Sequence, residues 1–311
     1  MDMQRRLLIT VCQKYYIENM TQQQIAAALD ISRMKVSRLL QKAKEQEVVR
    51  IIIDYAGSFI EQERLITKKY GLKETIIVDG SLGNDTKNLV ASAAAYYLEN
   101  NLPKGTVIAV GWGATMCKVP LFLQDLSQLD LLFTPIIGGH GQSELDMHAT
   151  TIASNLAKRS GCRSLSLLAP ALVKTVAEKQ ILLNDSQIRE VLSKSRGADY
   201  ALFSLGSPLA KDSSLSKSGY LSEEDLFQLE SERTICDVVS IAFLDDNHKV
   251  CCTNITDRTI SITIDELQKI PTKICIVEGK EKHKAVKAAL DAGYIDVLIT
   301  DEETAQFLDA L

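Results

Sequence analysis

Two clusters of residues carry the chemistry legible in this chain, and in both that chemistry is recognition through hydrogen bonds and charge. The first runs from Ser32 to Lys42. Arg33, Lys35, Arg38 and Lys42 supply cations, Ser37 a hydroxyl and Gln41 an amide, with Met34 among them. Cations suit phosphate oxygens, while Ser, Gln and Arg have the donors and acceptors to reach base edges in a major groove. The second cluster is Gly111-Trp112-Gly113-Ala114-Thr115, which follows a hydrophobic run at Val107–Val110. Its two glycines permit close backbone approach. The amides that follow, the Thr115 hydroxyl and the positive end of a helix would suit an anion such as phosphate. A Gly-x-Gly after a strand is also simply how a chain turns.

The elements that must position the first cluster follow from apolar spacing. Val36, Leu39, Leu40 and Ala43 recur at helical intervals and turn inward, leaving Met34, Ser37, Arg38 and Gln41 on the opposite side, flanked by Lys35 and Lys42. Ile25, Ala26 and Leu29 form the inner face of a preceding short helix. Thr21 and Ser32 are the expected N-caps. Two short capped helices joined by a tight turn read as a helix-turn-helix, with its recognition helix beginning near Ser32. Arg38, Gln41 and Ser37 are expected to read bases, and Arg33, Lys35 and Lys42 to hold the backbone. Thr21 and Gln22, at the start of the first helix, complete the DNA-facing candidates. A solvated charged helix is the bland alternative. Residues 4–19 should add a third helix, with Leu7, Leu8, Val11, Cys12 and Tyr15 on one stripe; Tyr16 reads as stripe edge or backbone contact, with a core role favoured. Glu47–Asp54, rich in β-branched residues, reads as a strand like the wing of a winged domain.

Composition bounds the classes available. The chain has 311 residues, 46% apolar and 24% charged, as expected of a soluble globular protein with two domains. No apolar run approaches the ~18–20 residues that cross a bilayer. The N-terminus leads into an amphipathic helix and not a signal peptide, so the protein is expected in the cytoplasm, without membrane partners. Seven cysteines are scattered with no CxxC pair, and four histidines are dispersed. They are read as reduced core or near-core thiols, and neither a metal site nor a cofactor is expected. The net charge of −5 splits unevenly. Residues 1–56 hold nine Lys/Arg against six Asp/Glu, a balance of +3, and the remainder carries −8. Positive charge is concentrated where the helix-turn-helix lies, and DNA is not expected to wrap the acidic remainder.

Tyr55-Ala-Gly-Ser58 breaks both periods and is the natural boundary between a DNA-binding domain at 1–55 and a second domain at 56–311. A linker helix, Phe59 to Tyr70, closes on Gly71. Candidate strands then fall at Thr75–Val78, Val107–Val110, Leu131–Ile137, Ser164–Leu168, Tyr200–Leu205, Val238–Leu244, Lys273–Val277 and Asp296–Ile299. Helices are expected at Thr86–Asn100, Met147–Arg159, Ser186–Ser195 and His283–Ala292. Apolar strands alternating with amphipathic helices predict an α/β fold, a doubly wound and mostly parallel sheet covered on both faces. Ligands of such sheets bind outside the carboxyl ends of the strands. The Gly-Trp-Gly-x-Thr turn lies at such an end, as do Ile137-Gly-Gly-His-Gly-Gln142, Leu205-Gly-Ser-Pro208 and Val277-Glu-Gly-Lys-Glu-Lys282. Their convergence points to a pocket in which Lys280 or Lys282 would neutralise an anion. Asp79-Gly-Ser-Leu-Gly83 is a further strand-end turn, less expected to take part. There is no Gly-x-Ser-x-Gly elbow, Walker loop, HExxH or full dinucleotide fingerprint. Asp237 and Asp245-Asp246 have no partner His or metal cluster, and read as turn caps and surface charges rather than catalytic carboxylates.

The chain resembles the SorC family of transcriptional regulators, the SorC/DeoR group, over nearly its whole length. The N-terminal part carries the Tyr-Tyr…Met-Thr-Gln-Gln-x-Ile-Ala…Leu-x-Ile-Ser-Arg-x-x-Val-Ser-Arg-Leu-Leu run at Tyr15–Leu40. The C-terminal part carries Gly111-Trp-Gly-x-Thr115, Gly138-Gly139, Ala169-Pro170 and the segment from Lys282 through Tyr-Ile-Asp-Val-Leu-Ile-Thr-Asp301 to Thr-Ala305. The resemblance implies a C-terminal sugar-binding domain related to glucosamine-6-phosphate deaminase and ribose-5-phosphate isomerase, with the isomerase chemistry lost. It implies a phosphorylated sugar or polyol effector and assembly as dimers or tetramers on paired operator half-sites, often controlling a carbohydrate operon. The candidate effector contacts are Gly111, Trp112, Gly113, Thr115, Gly138, Gly139, Gly206, Asp237 and Lys282. Three departures stand on the effector side: Ser204-Leu-Gly206 for Gly-x-Gly, Cys236-Asp237-Val238 for Gly-Asp-Ile, and Val277-Glu278-Gly279 for Ala-Gly-Gly. The last adds bulk and negative charge beside an anion site. The competing readings are a sugar-phosphate isomerase or deaminase with an appended DNA-binding domain, for which no base and ring-opening acid can be named, and a module whose helix-turn-helix contacts protein.

Overall fold

The structure, a computed structural model, describes residues 3–46, 48–49, 58–80, 85–140, 145–210, 213–217 and 219–311. The chain divides into two compact units, Met1–Gly57 and Ser58–Leu311. The wing expected at Glu47–Asp54 lies outside the described residues except for Val48 and Val49, which are half-buried against the first unit's core.

Among its described residues the first unit has three α-helices, α1 (Met3–Cys12), α2 (Gln22–Ala28) and α3 (Arg33–Glu45). Helical spacing decides their packing. Val36, Leu39, Leu40 and Ala43 of α3 are buried against Leu8, Val11 and Cys12 of α1 and Ile25 and Ala26 of α2. Both expected caps form. Thr21 accepts from the Gln24 amide while the Gln24 side chain accepts from the Thr21 amide, a capping box, and Ser32 accepts from the Lys35 amide at 3.1 Å. Between the helices Asp30 takes a left-handed φ of 51°, which aspartate tolerates, and Ile31 donates back to the Ala26 carbonyl. Tyr16, expected at the core, lies at the surface. α1 continues into a widened turn over Gln13–Ile17, which takes Tyr16 off the Leu8–Val11–Cys12 stripe and leaves it edge-on to Tyr15.

The second unit is built on a seven-stranded, wholly parallel sheet. Its strands are β1 (Glu74–Val78), β2 (Val107–Val110), β3 (Leu132–Pro135), β4 (Arg163–Ser164) and β5 (Tyr200–Phe203), joined later in the chain by β10 (Thr272–Val277) and β11 (Val297–Asp301). Their spatial order is β1-β11-β10-β5-β2-β3-β4. Each residue of β10 and β11 is buried, and alternate side chains enter opposite cores: Ile274, Ile276, Val297 and Ile299 on one face, Cys275, Val277 and Leu298 on the other. Helix α4 (Ile60–Tyr70), capped by left-handed Gly71, is more than a linker. Glu63 accepts from the Ile77 amide on edge strand β1 at 2.9 Å, and Ile66 is fully buried. Helix α5 (Thr86–Asn101) covers the face built from Ile274 and Ile276.

A second sheet joins β6 (Leu205–Gly206), β7 (Cys236–Val238), β8 (Ala242–Leu244) and β9 (Val250–Cys251) in antiparallel order. Two expected strands are thereby divided. Tyr200–Leu205 breaks at Ser204, sending Leu205 into the small sheet. Val238–Leu244 is a hairpin, because Val239 and Ser240 both adopt left-handed φ values, 55° and 58°, and reverse the chain. Ser164–Leu168 contracts to the two-residue edge strand β4. Helices Val176–Leu183, Glu223–Ser231 and Glu302–Ala310, capped by Thr175, Ser222 and Asp301, are additional to those expected. Among the described residues, no helix is long and apolar enough to cross a membrane.

Candidate functional site

The outer face of α3 is presented as its wheel predicts. Arg33, Met34, Lys35, Ser37, Arg38 and Gln41 are exposed, Met34 at 64%, and Lys42 is half-buried. With the inward face fixed by Val36, Leu39, Leu40 and Ala43, these side chains share the solvent face of a rigid, capped helix. Two refinements follow from their partners. The Gln41 amide donates one N–H to Glu45 at 3.1 Å, which leaves its second N–H and its Oε1 for a base. The Thr21 hydroxyl is spent on the capping box, which makes its demonstrated role structural. Beside them, Tyr15, Tyr16, Gln22 and Arg33 help line an open groove at the start of α2.

In the second unit, sheet order creates the site. From the centre, β2-β3-β4 runs outward one way and β5-β10-β11 the other, so β2 and β5 flank the point where the winding reverses. A crevice outside the carboxyl ends of strands at such a point is the expected ligand position of a doubly wound sheet. A cavity of about 530 Å³ lies there, walled by the loops after β2, β5 and β10 and by the β7 edge of the small sheet.

Of the nine candidate contacts, six line this cavity: Trp112, Gly113, Thr115, Gly206, Asp237 and Lys282. Gly111, Gly138 and Gly139 are not among the lining residues. A Cβ on Gly111 would stand 2.9 Å from Val239 and 3.0 Å from Phe203, and one on Gly138 would stand 2.5 Å from the Pro170 carbonyl oxygen. Gly139 forms a bridge with Pro170 and accepts from the Ala171 amide. These glycines are tightly packed parts of the scaffold. Lys280 is exposed and outside the lining; residues 81–83 and 141–142 of two further candidate loops lie outside the described residues. The lining also holds Lys87, Ser204, Ser207, Glu278 and Glu281, which the loop motifs did not single out as contacts. Lys87 comes from the first turn of α5, whose approach to the crevice depends on the sheet order.

The polar groups of the wall are already engaged with one another. Thr115, 1% exposed, donates its hydroxyl to Glu278 Oε2 at 2.7 Å. Lys282 and Lys87 approach the same carboxylate, each at 3.8 Å. Ser207 donates to the Glu281 carbonyl at 2.6 Å, tying the β5 loop to the β10 loop. The Ser204 hydroxyl is buried and has no hydrogen-bond partner among the described residues. Asp237 does cap a turn, accepting from the Ser240 amide at 2.5 Å, but it is buried and not a surface charge. Burial pushes its carboxyl up to about 7, against the lowering effect of the Ser240 bonds. At neutral pH Asp237 therefore offers both a hydrogen-bond donor and an acceptor form. Asp245 caps its turn as expected, accepting from the Asn247 and Lys249 amides.

Among the described residues, none of the seven cysteines is joined to another by a disulfide. The fold nevertheless gathers Glu232, Cys251 and Cys252, which the sequence leaves dispersed, with potential ligand atoms within 4.8 Å of one another. Glu232 accepts from the Cys252 amide, and Thr234 lies within hydrogen-bond reach of both thiols.

Comparison with known proteins matches this geometry. Residues 55–308 fit the family model described as "Putative sugar-binding domain", and residues 9–46 fit that of region 4 of sigma-70. The sorbitol operon regulator of Klebsiella pneumoniae is 31% identical over 97% of this chain and 97% of its own length. The deoxyribonucleoside regulator of Bacillus subtilis is 28% identical over 98% of this chain and 97% of its own. The crystal structure of the full-length Klebsiella regulator superposes with a TM-score of 0.77 at 29% identity, covering 98% of each chain.

Proposed function

This chain belongs to the SorC family of transcriptional regulators, and on that premise we propose that it is a sequence-specific DNA-binding regulator of a carbohydrate operon whose Ser58–Leu311 unit binds a small carbohydrate effector. One observation carries the DNA-binding half: the exposed face of α3 sets Ser37, Arg38 and Gln41 between the cations Arg33, Lys35 and Lys42, on a helix whose other face is core. In this reading residues 1–55 bind duplex DNA, and residues 56–311 bind effector and assemble the oligomer. Arg38, Gln41 and Ser37 read bases; Arg33, Lys35 and Lys42 hold phosphates. Two recognition helices spaced for adjacent half-sites require at least a dimer, and effector binding acts on DNA affinity through that assembly. A regulator of this kind works in the cytoplasm. It needs no cofactor and turns over no substrate.

The test is selection of duplexes from a random-sequence pool with the full chain, followed by binding of the enriched sequence as salt is raised. The expected result is an enriched, two-fold related site whose affinity falls steeply with salt, because phosphate contacts release counterions. Failure to enrich any sequence, or binding indifferent to salt, would overturn the reading. Incubation with pentose and hexose phosphates tests the enzymatic alternative, which turnover would restore.

A further inference from the structure

The charges around the cavity decide what kind of carbohydrate it admits. Three donors converge from three elements: the Thr115 hydroxyl from the loop after β2, Lys87 from the first turn of α5, and Lys282 from the turn after β10. A hydroxyl and two ammonium groups aimed at one point make an anion site. That point is taken by the chain's own Glu278, whose side chain is 9% exposed, with one oxygen on Thr115 and Lys282 and the other facing Lys87. Among the described residues of the lining, two lysines face three carboxyl groups, those of Asp237, Glu278 and Glu281. These described groups leave no net positive charge for a phosphate ester of charge near −2. What is left suits hydroxyls and C–H faces: the unpartnered Ser204 hydroxyl, the Asp237 carboxyl, and the apolar surfaces of Trp112, Leu205 and Val239.

We propose that this cavity binds an uncharged, polyhydroxylated carbohydrate, and that Glu278 fills the position at which a phosphate ester would be held. The proposal rests on the carbohydrate-effector reading above and replaces the phosphorylated effector implied by family resemblance. Glu278 thus acts as a built-in counter-anion. It neutralises Lys87 and Lys282 and excludes charged esters, while offering its carboxylate to a ligand hydroxyl.

Trp112, the sole tryptophan of the chain, lines the cavity and reports its occupancy by fluorescence. The full chain and its Glu278→Gly and Glu278→Ala variants are titrated with inorganic phosphate, and with free hexitols, pentitols and pentoses alongside their monophosphates. Inorganic phosphate should leave the unmodified protein silent at millimolar concentration and change the signal of the variants, a gain of about tenfold or more in affinity. Among the sugars, the unmodified protein should take a free compound in preference to its phosphate, and the variants should reverse that order. Phosphate binding equally well to all three proteins overturns the proposal, as does its binding to none, since the vacated cluster would then be no anion site. A preference of the unmodified protein for a monophosphate overturns it too. If no sugar of either set binds, the carbohydrate reading fails, while the phosphate arm still decides what Glu278 does. Thermal unfolding of each variant confirms that it is folded, and with two variants the loss of one leaves the test standing.

Discussion

Trp112 lies flat against His140, the ring centroids 3.8 Å apart and the planes inclined by 24°. Trp112 lines the cavity and His140 lies behind it, outside the lining. The stack places His140 where a charged imidazole is poorly tolerated: burial, with a smaller contribution from His148, lowers its pKa to about 3. Ser240 links this histidine to the cavity carboxyl. Its hydroxyl lies 3.3 Å from His140 Nε2 and 3.4 Å from Asp237 Oδ2.

The two groups give the fold opposing pH dependences. As pH falls below 6.5 only the unfolded chain protonates His140, so that contribution to stability is lost toward pH 3. Asp237, raised from 3.8 to about 7, keeps its proton in the folded chain, so its contribution is lost as pH rises from about 4 to 7. Asp237→Asn should therefore uncover the histidine, with stability falling by roughly 2–3 kcal/mol between neutral pH and about pH 4.5. His140→Phe should show the reverse, greatest stability in mild acid. Urea unfolding followed by Trp112 fluorescence checks both, and identical pH profiles for all three proteins would refute the assignment.

On α3, Arg38→Ala should weaken binding to the selected operator by about 1–3 kcal/mol and relax preference at one base position. Lys35→Ala should weaken all sequences alike and reduce the slope of log affinity against log salt by about 1. Glu45→Gln removes the carboxylate now holding Gln41 and should strengthen binding. Titrations of each variant at several salt concentrations separate the three outcomes; a uniform effect of Arg38→Ala would move that residue to the phosphate-binding group.

The elements that local rules govern were legible in the chain. The caps at Thr21 and Ser32, the buried stripe of α3 and the apolar runs of β2, β10 and β11 each follow from residues a few positions apart. What required the fold was anything decided between distant segments. Val239 and Ser240 turn the chain with left-handed backbones although neither is Gly or Asn, so the β7–β8 hairpin reads as one strand. Glu278 was visible as a departure from the family pattern, but its engagement with Thr115, 163 positions earlier, was not. Lys87 joins the site only because the sheet order brings the start of α5 beside the β10 loop. Gly138 and Gly139 show the converse: a glycine pair at a strand end resembles a ligand loop, and here it makes room for the backbone at Ala169 and Pro170.

That difference predicts separable phenotypes. Gly138→Ala places a methyl group 2.5–2.6 Å from backbone atoms of Ala169 and Pro170, which cannot yield as a side-chain tip would. It should cost about 1–3 kcal/mol of stability through overpacking. Effector affinity, measured well below the unfolding temperature, should be little changed. Lost affinity with an unaltered melting temperature would instead return Gly138 to the binding site.

Ser204 offers a substitution in which fold and ligand respond in opposite senses. Its hydroxyl is buried at the cavity wall with no partner among the described residues, a situation that costs the folded state the desolvation of a polar group. Ser204→Ala removes that cost together with one hydrogen-bonding group for a sugar. Without ligand the variant should be as stable as the parent or more so, by up to about 1 kcal/mol. With the effector identified by the fluorescence titration, it should bind about three- to tenfold more weakly, the loss of one neutral hydrogen bond. Melting temperatures with and without effector read both effects from one sample. A variant destabilised without ligand would mean that the hydroxyl is supporting the fold, and unchanged affinity would remove Ser204 from the contacts.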